Sequence, residues 1–119
     1  VYSSPLRRAK DTAELILGQL KTPPSSPLQI SEDLKEINLM LWEGLLFTEV
    51  AEQDPEGYEC WKNAPHQLKM RIPGENGEPI EFYPVRALFD QAKIFWKDLL
   101  PAHAGQTVLV VAHSGINRA

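Results

Sequence analysis

Apolar residues recur every three or four positions in two stretches of this chain. In the first, Leu6, Ala9, Ala13, Ile16, Leu17 and Leu20 fall on one helical stripe. Ser4 suits the N-cap of that helix and Pro5 its first position, and the stripe fades between Gly18 and Lys21. In the second, Pro84 opens a helix whose face is Val85, Leu88, Ala92, Phe95 and Leu99, widened by Phe89 and Trp96. Pro101 is expected to end it, with Gly105 in the turn that follows. The run Val108 to Ala112 is continuously apolar and reads as a central parallel strand buried on both faces. Val1 to Ser3 reads as a strand end feeding the first helix, and Leu28 to Ile30 as a short strand.

Between these elements the pattern is weaker. Thr22 to Pro27 is a loop by composition, and Ser31 to Leu41 reads as irregular. Leu45 to Gln53 is expected to be a short helix stopped by Asp54-Pro55, and Tyr58 to Asn63 a helical turn ending before Pro65. His66 to Glu81 contains Pro73-Gly74-Glu75-Asn76-Gly77-Glu78-Pro79 and reads as a long, exposed, mobile loop. Strands interleaved with helices predict an α/β fold, and 119 residues suit a single domain. The chain opens at Val1 inside a strand and closes at Ala119 in the opening turn of a helix. The expectation is therefore a piece of a longer domain, incomplete at both ends.

Composition narrows the function classes. A net charge of -4, with basic residues scattered apart from Arg7-Arg8, argues against nucleic acid as a partner. No stretch has the length of a membrane span. The single cysteine, Cys60, rules out an intrachain disulfide and fits a reducing, cytoplasmic setting. Cys60 lies between aromatic residues, beside Glu59, which suits a packed thiol better than a nucleophile. No two histidines stand at metal-ligand spacing, and no phosphate-binding glycine loop is present.

Three residues stand out as candidates for chemistry. Arg7 has Asp11 four residues on and Lys10 has Glu14, whereas Arg8 is the cation least accounted for by such pairing. It sits near a helix N-terminus, where backbone N–H groups favour an anion, and its guanidinium can grip a phosphoryl group through two hydrogen bonds. The bland alternative is a surface arginine. His113 follows a buried strand and precedes Ser114-Gly115, at the kind of strand end where α/β sheets gather ligands. A buried histidine bonded to backbone is the competing reading there. Glu36 lies in an acidic run that by itself reads as solvated surface. His66 and His103 fall in loop-like settings and are expected to be solvated.

Taken together, Ser4-Pro5-Leu6-Arg7-Arg8-Ala9, Leu34-Lys35-Glu36-Ile37 followed by Trp42-Glu43-Gly44, and the strand ending in His113-Ser114-Gly115 resemble the histidine phosphatase superfamily, which includes the cofactor-dependent phosphoglycerate mutases. The resemblance implies a three-layer α/β/α fold with a mostly parallel sheet. It also implies that Arg8 and His113 bind the phosphoryl group, with His113 catalytic as well. Glu36 would protonate the leaving group and then activate water, with Glu43 as the competing choice, read as structural. The family carries its nucleophile on an Arg-His-Gly segment, and none occurs here. The implied reaction is phosphoryl transfer through a phosphohistidine, most simply a phosphatase acting on a small phosphorylated metabolite, with residues 1–119 alone inactive. No metal or cofactor is implied, except 2,3-bisphosphoglycerate if the protein is a mutase. The alternatives are that mutase and a non-catalytic module that binds phosphorylated ligands or a partner. Three local departures stand out: Met40 where the family often has Gly, Lys35 where Arg is common, and Asn76 in a Gly-Glu-Ser-like stretch.

Overall fold

The computed structural model describes residues 1–119. In chain order the elements are β1 (Tyr2–Ser3), α1 (Arg7–Gln19), β2 (Gln29–Ile30), α2 (Phe47–Gln53), α3 (Pro55–Asn63), β3 (Met70–Pro73), β4 (Pro79–Phe82), α4 (Pro84–Ala102) and β5 (Val110–Val111). Short 3₁₀ turns occupy Glu32–Leu34, Met40–Trp42 and Pro65–Gln67. The chain divides into two compact units, one formed by Val1–Glu36 with Phe89–Ala119 and the other by Ile37–Leu88.

The first unit is built on a parallel sheet of order β2-β1-β5. Its register pairs Tyr2 with Gln29 and Val110, and Ser3 with Ile30 and Val111. On one face, Leu34, Phe95 and Leu99 form a buried cluster against Tyr2, Val108, Val110 and Ala112. The opposite helix, α1, touches β1 and β5 and buries Ala9 and Ala13. The fold is thus α/β with a mostly parallel sheet, as the element pattern implied.

Five details of this unit depart from the sequence pattern. The α1 N-cap is Leu6, whose carbonyl accepts from Ala9 and Lys10, rather than Ser4. The apolar stripe of α1 is buried only in its first half, and Ile16 and Leu20 are exposed. The middle strand of the three is β1. The run at Val108 to Ala112 pairs with β1 alone and is half-buried, because an apolar run reports burial but not place in a sheet. His103 is not a solvated loop residue: Tyr2 Oη lies 2.8 Å from its Nε2, and its Nδ1 lies 2.8 Å from Gln106 Oε1. Helix α4 also passes Pro101, which sits in the last turn.

The second unit has its own core of Trp42, Val50, Leu68 and Met70. Asp54 organises it: Oδ1 caps α3 by accepting from the Gly57 N–H at 2.9 Å, and Oδ2 accepts from Trp42 Nε1 at 3.2 Å. With that cap, α3 starts at Pro55 and is longer than the helical turn expected from Tyr58. The mobile loop expected over His66 to Glu81 is instead an antiparallel hairpin. Met70 faces Phe82, Arg71 faces Glu81 and Ile72 faces Ile80, an alternation that the Gly- and Pro-rich turn between them masks. The turn closes through Gly74 N–H to Glu78 carbonyl and Gly77 N–H to Gly74 carbonyl, with Gly77 at φ +79.

Candidate functional site

Parallel pairing of β1 with β5 places the exits of the two strands side by side. The Ser4 N–H donates to the Val111 carbonyl at 3.1 Å, so the chain leaving β1 remains aligned with the chain leaving β5 for one residue past the ladder. Ser4 then turns into the start of α1, and His113 follows Ala112 at the end of β5. Both are buried, Ser4 completely and His113 to 7 % exposure. Their side chains meet: Ser4 Oγ lies 2.8 Å from His113 Nε2. Ser4 Oγ also accepts from the Leu6 N–H at 3.2 Å, which is why it does not cap α1.

Arg8 enters from the first turn of α1. Arg7 pairs with Asp11 at 3.3 Å and Lys10 with Glu14 at 3.7 Å, so the two neighbouring cations take the helix's own acids. Arg8 stands outside both pairs, is exposed, and is close enough to act electrostatically on His113.

Glu36 arrives from the third strand of the sheet. After β2 the chain makes a 3₁₀ turn in which Leu34 plugs into the cluster with Phe95 and Leu99. Gln91, on α4, donates from Nε2 to the carbonyls of Asp33 at 3.0 Å and Lys35 at 2.8 Å, clamping the backbone just before Glu36. Lys35 is turned to Glu32 in an ion pair of 2.5 Å. The Glu36 carboxylate then spans the turn after His113, accepting from Gly115 N–H at 3.1 Å and Ile116 N–H at 3.2 Å. The side chains singled out by sequence therefore lie on the segments that follow three neighbouring parallel strands, beyond the carboxyl ends at which open α/β sheets hold ligands.

The electrostatics of the cluster centre on His113. Burial foremost, and the nearby Arg8 guanidinium next, hold its pKa below the ordinary histidine range, while Glu36 acts in the opposite direction. A depressed pKa favours the neutral imidazole, which has one N–H to donate.

Glu43, weighed against Glu36, lies in the second unit and accepts from the Leu39 N–H at 3.0 Å, holding the turn around Trp42. In the same turn Met40 has φ +46 and Gly44 φ +80, so a methionine occupies left-handed backbone where the resembled family often has glycine. Sequence reasoning missed three contributors: Ser4 as the partner of His113, the Gly115 and Ile116 amides as the seat of Glu36, and Gln91 as its clamp. Ser4 and Gly115 leave a trace in the sequence, Ser4 inside the Ser-x-Leu-x-Arg pattern, where it reads as a helix cap, and Gly115 in the turn after His113. No three His, Cys, Asp or Glu side chains converge as a metal site.

Comparison with known proteins bears on the whole chain. A sequence model described as the histidine phosphatase superfamily (branch 1) matches residues 1–119. A 2-carboxy-D-arabinitol-1-phosphatase of Triticum aestivum is 36% identical over 118 residues, covering 99% of this chain and 21% of the relative. A metal-independent phosphoserine phosphatase of Arabidopsis thaliana is 35% identical over 119 residues, covering all of this chain and 45% of the relative. Among solved structures, Bacillus stearothermophilus YhfR superposes with a TM-score of 0.74 at 28% identity, over 98% of this chain and 51% of that one. The chain thus spans from about a fifth to about half the length of the proteins it matches.

Proposed function

The chain belongs to the histidine phosphatase superfamily, and we propose that the intact protein is a phosphatase that removes the phosphoryl group of a small phosphomonoester through a phosphohistidine. The observation that carries this reading is the convergence of Arg8, Glu36 and His113 at three adjacent strand ends around a buried imidazole with a depressed pKa. The two units are read together as one phosphoglycerate mutase-like domain, since the family match runs through both. No Arg-His-Gly stands in residues 1–119, so this reading assigns the phosphorylated histidine to a segment outside them, and residues 1–119 by themselves are inactive.

In the first step the nucleophilic imidazole nitrogen attacks phosphorus and the P–O bond to the substrate breaks. Arg8 and the His113 N–H donate hydrogen bonds to the non-bridging oxygens, whose charge they stabilise as it redistributes. The departing alkoxide takes a proton from the Glu36 carboxylic acid. In the second step water attacks the phosphohistidine, its proton passes to the Glu36 carboxylate, and the P–N bond breaks to release inorganic phosphate. Glu36 is held at the turn after His113 by the Gly115 and Ile116 N–H groups. The arginine's charge and the imidazole's N–H together take the part that a divalent cation takes in other phosphoryl-transfer sites.

Substrate class follows from the relatives' named activities, on phosphoserine and on a carboxylated sugar phosphate: a small, anionic phosphomonoester of that kind is the proposed substrate. The test is an assay of the intact protein with chelator present, offering phosphoserine, 2-carboxyarabinitol 1-phosphate, 3-phosphoglycerate and p-nitrophenyl phosphate. Release of inorganic phosphate supports the reading. Isomerisation of 3-phosphoglycerate without net phosphate release replaces it with the mutase, and binding of these esters without turnover replaces it with a binding module.

A further inference from the structure

Ser4 is a completely buried hydroxyl with no role so far beyond touching His113, and its hydrogen bonds can be accounted for one by one. The hydroxyl has one proton to give and two lone pairs to offer. The Leu6 N–H, at 3.2 Å, takes one lone pair. The remaining neighbour at hydrogen-bond distance is His113 Nε2, at 2.8 Å. Two arrangements with a neutral imidazole are then conceivable. If Nε2 carries the hydrogen and donates to Ser4, the serine proton has no acceptor, and a fully buried O–H is orphaned. If Nε2 is bare, it accepts the serine proton and every group is satisfied. The second arrangement costs nothing, and the first violates the rule that buried polar groups are paired.

A bare Nε2 puts the ring proton on Nδ1. That atom has no hydrogen-bond partner within the protein and is not sealed from solvent. It is the nitrogen left to face an incoming group, and with the proton on it the ring presents a donor rather than a lone pair. The distinction matters for an anion: a phosphoryl oxygen is attracted by an N–H and repelled by a bare ring nitrogen.

We propose that Ser4 is a positioning residue that sets the tautomer of His113, keeping Nε2 bare as acceptor of the serine proton so that Nδ1–H points at the phosphoryl oxygens. The inference rests on the reading above that His113 receives a phosphoryl group, but the tautomer itself is a property of the protein without substrate. Ser4 makes no contact with substrate in this scheme and acts through the imidazole alone. If His113 becomes protonated when the anion binds, Nε2–H donates to the free lone pair of the same hydroxyl, so the contact survives both protonation states.

The test has two independent arms on the intact protein. With histidine labelled by ¹⁵N, nuclear magnetic resonance of the unliganded wild type above the His113 pKa is expected to show a protonated Nδ1 and a bare Nε2. An Nε2-protonated His113 overturns the proposal, whether or not the enzyme is active. In kinetics, Ser4→Ala is expected to lower kcat by about 10- to 100-fold, the range typical when an outer partner of an active-site group is lost, with little change in KM. Its His113 resonances should show mixed tautomers, while Ser4→Thr, which keeps the hydroxyl, should restore both the tautomer and most of kcat. A Ser4→Ala protein with unchanged tautomer and unchanged kcat rejects the role. Wild-type protein with the expected tautomer and no turnover on any phosphomonoester supports the tautomer and rejects the phosphatase reading instead.

Discussion

The two units of this chain bury different things. In the unit of Ile37–Leu88 the buried cluster is Trp42, Val50, Leu68 and Met70, and its polar pairs either brace that core, as Asp54 does for the Gly57 N–H and the Trp42 indole, or sit on the surface, as Lys69 does with Glu81 at 2.9 Å. In the unit of Val1–Glu36 with Phe89–Ala119 the apolar cluster is Leu34, Phe95 and Leu99, and the unit also buries the polar Ser3, Ser4 and His113. The carbonyls before Glu36 and the amides after His113 are bound by side chains from distant parts of the chain. A region that spends burial on polar atoms gives up hydrophobic stabilisation and gains fixed geometry for hydrogen-bonding groups. The difference separates a unit whose interior is apolar from one that also holds polar groups in fixed positions, and it can be broken by experiment.

The largest effect is expected from Glu36→Gln in the intact protein. Losing the proposed acid and base should lower kcat by roughly 10²- to 10⁴-fold. The loss should be smaller for p-nitrophenyl phosphate than for an alkyl phosphate, because a phenolate leaves with less need of a proton. An equal loss for both would leave Glu36 only as the brace of Gly115 and Ile116. Next in size, Leu68→Ala should destabilise the protein by about 2–5 kcal/mol in a denaturant titration, as cavity formation at a fully buried leucine does. Its kcat per folded molecule should stay near wild type, and a large fall in kcat would couple the two units and break the contrast.

Arg8→Lys keeps the charge but removes the two-pronged fork, and should lower kcat/KM by roughly tenfold or more with little effect on thermal stability. A pH effect should follow from His113. Its folded-state pKa is lowered, chiefly by burial, so the unfolded chain binds the extra proton first as pH falls. Folding stability should therefore be at its plateau above the unfolded value of about 6.5, and decline as pH drops from there through the folded-state pKa. His113→Ala should remove that part of the slope, and an unchanged profile would show that other groups dominate it.

The smallest effect belongs to Met40→Gly. Glycine relieves a left-handed backbone cost of about 1–2 kcal/mol, but it adds roughly 0.5–1 kcal/mol of chain entropy and gives up the packing of Met40 on the Trp42 cluster. A midpoint shift near zero is expected, and a large shift of either sign would show that one of those opposed contributions is misjudged.

Much of the framework is legible in the sequence. The periodicity of Ala9 and Ala13 located α1, and Val85 to Leu99 located α4, because a helical face repeats within a few residues. Arg8 and His113 stand out by residue type at a helix start and a strand end, and Glu36 only by a resemblance to a known family. The hairpin at Met70 to Phe82 was missed because its short alternation was outweighed by the Gly and Pro content of its turn. Ser4 was read as a cap because a serine before a proline-led helix is usually one, and only its burial reassigns the hydroxyl.

Local pattern thus determined which segments are helices and which residue types carry charge at their ends. The tertiary structure decided which of those residues meet. Ser4 and His113 lie 109 positions apart, and Glu36 lies 79 and 80 positions from the amides it binds. Periodicity reports on neighbours a few residues away. The register of β1 between β2 and β5 is set by cooperative pairing and by the packing of Leu34, Phe95 and Leu99, and that register brings a buried serine, an imidazole and a carboxylate to one end of the sheet.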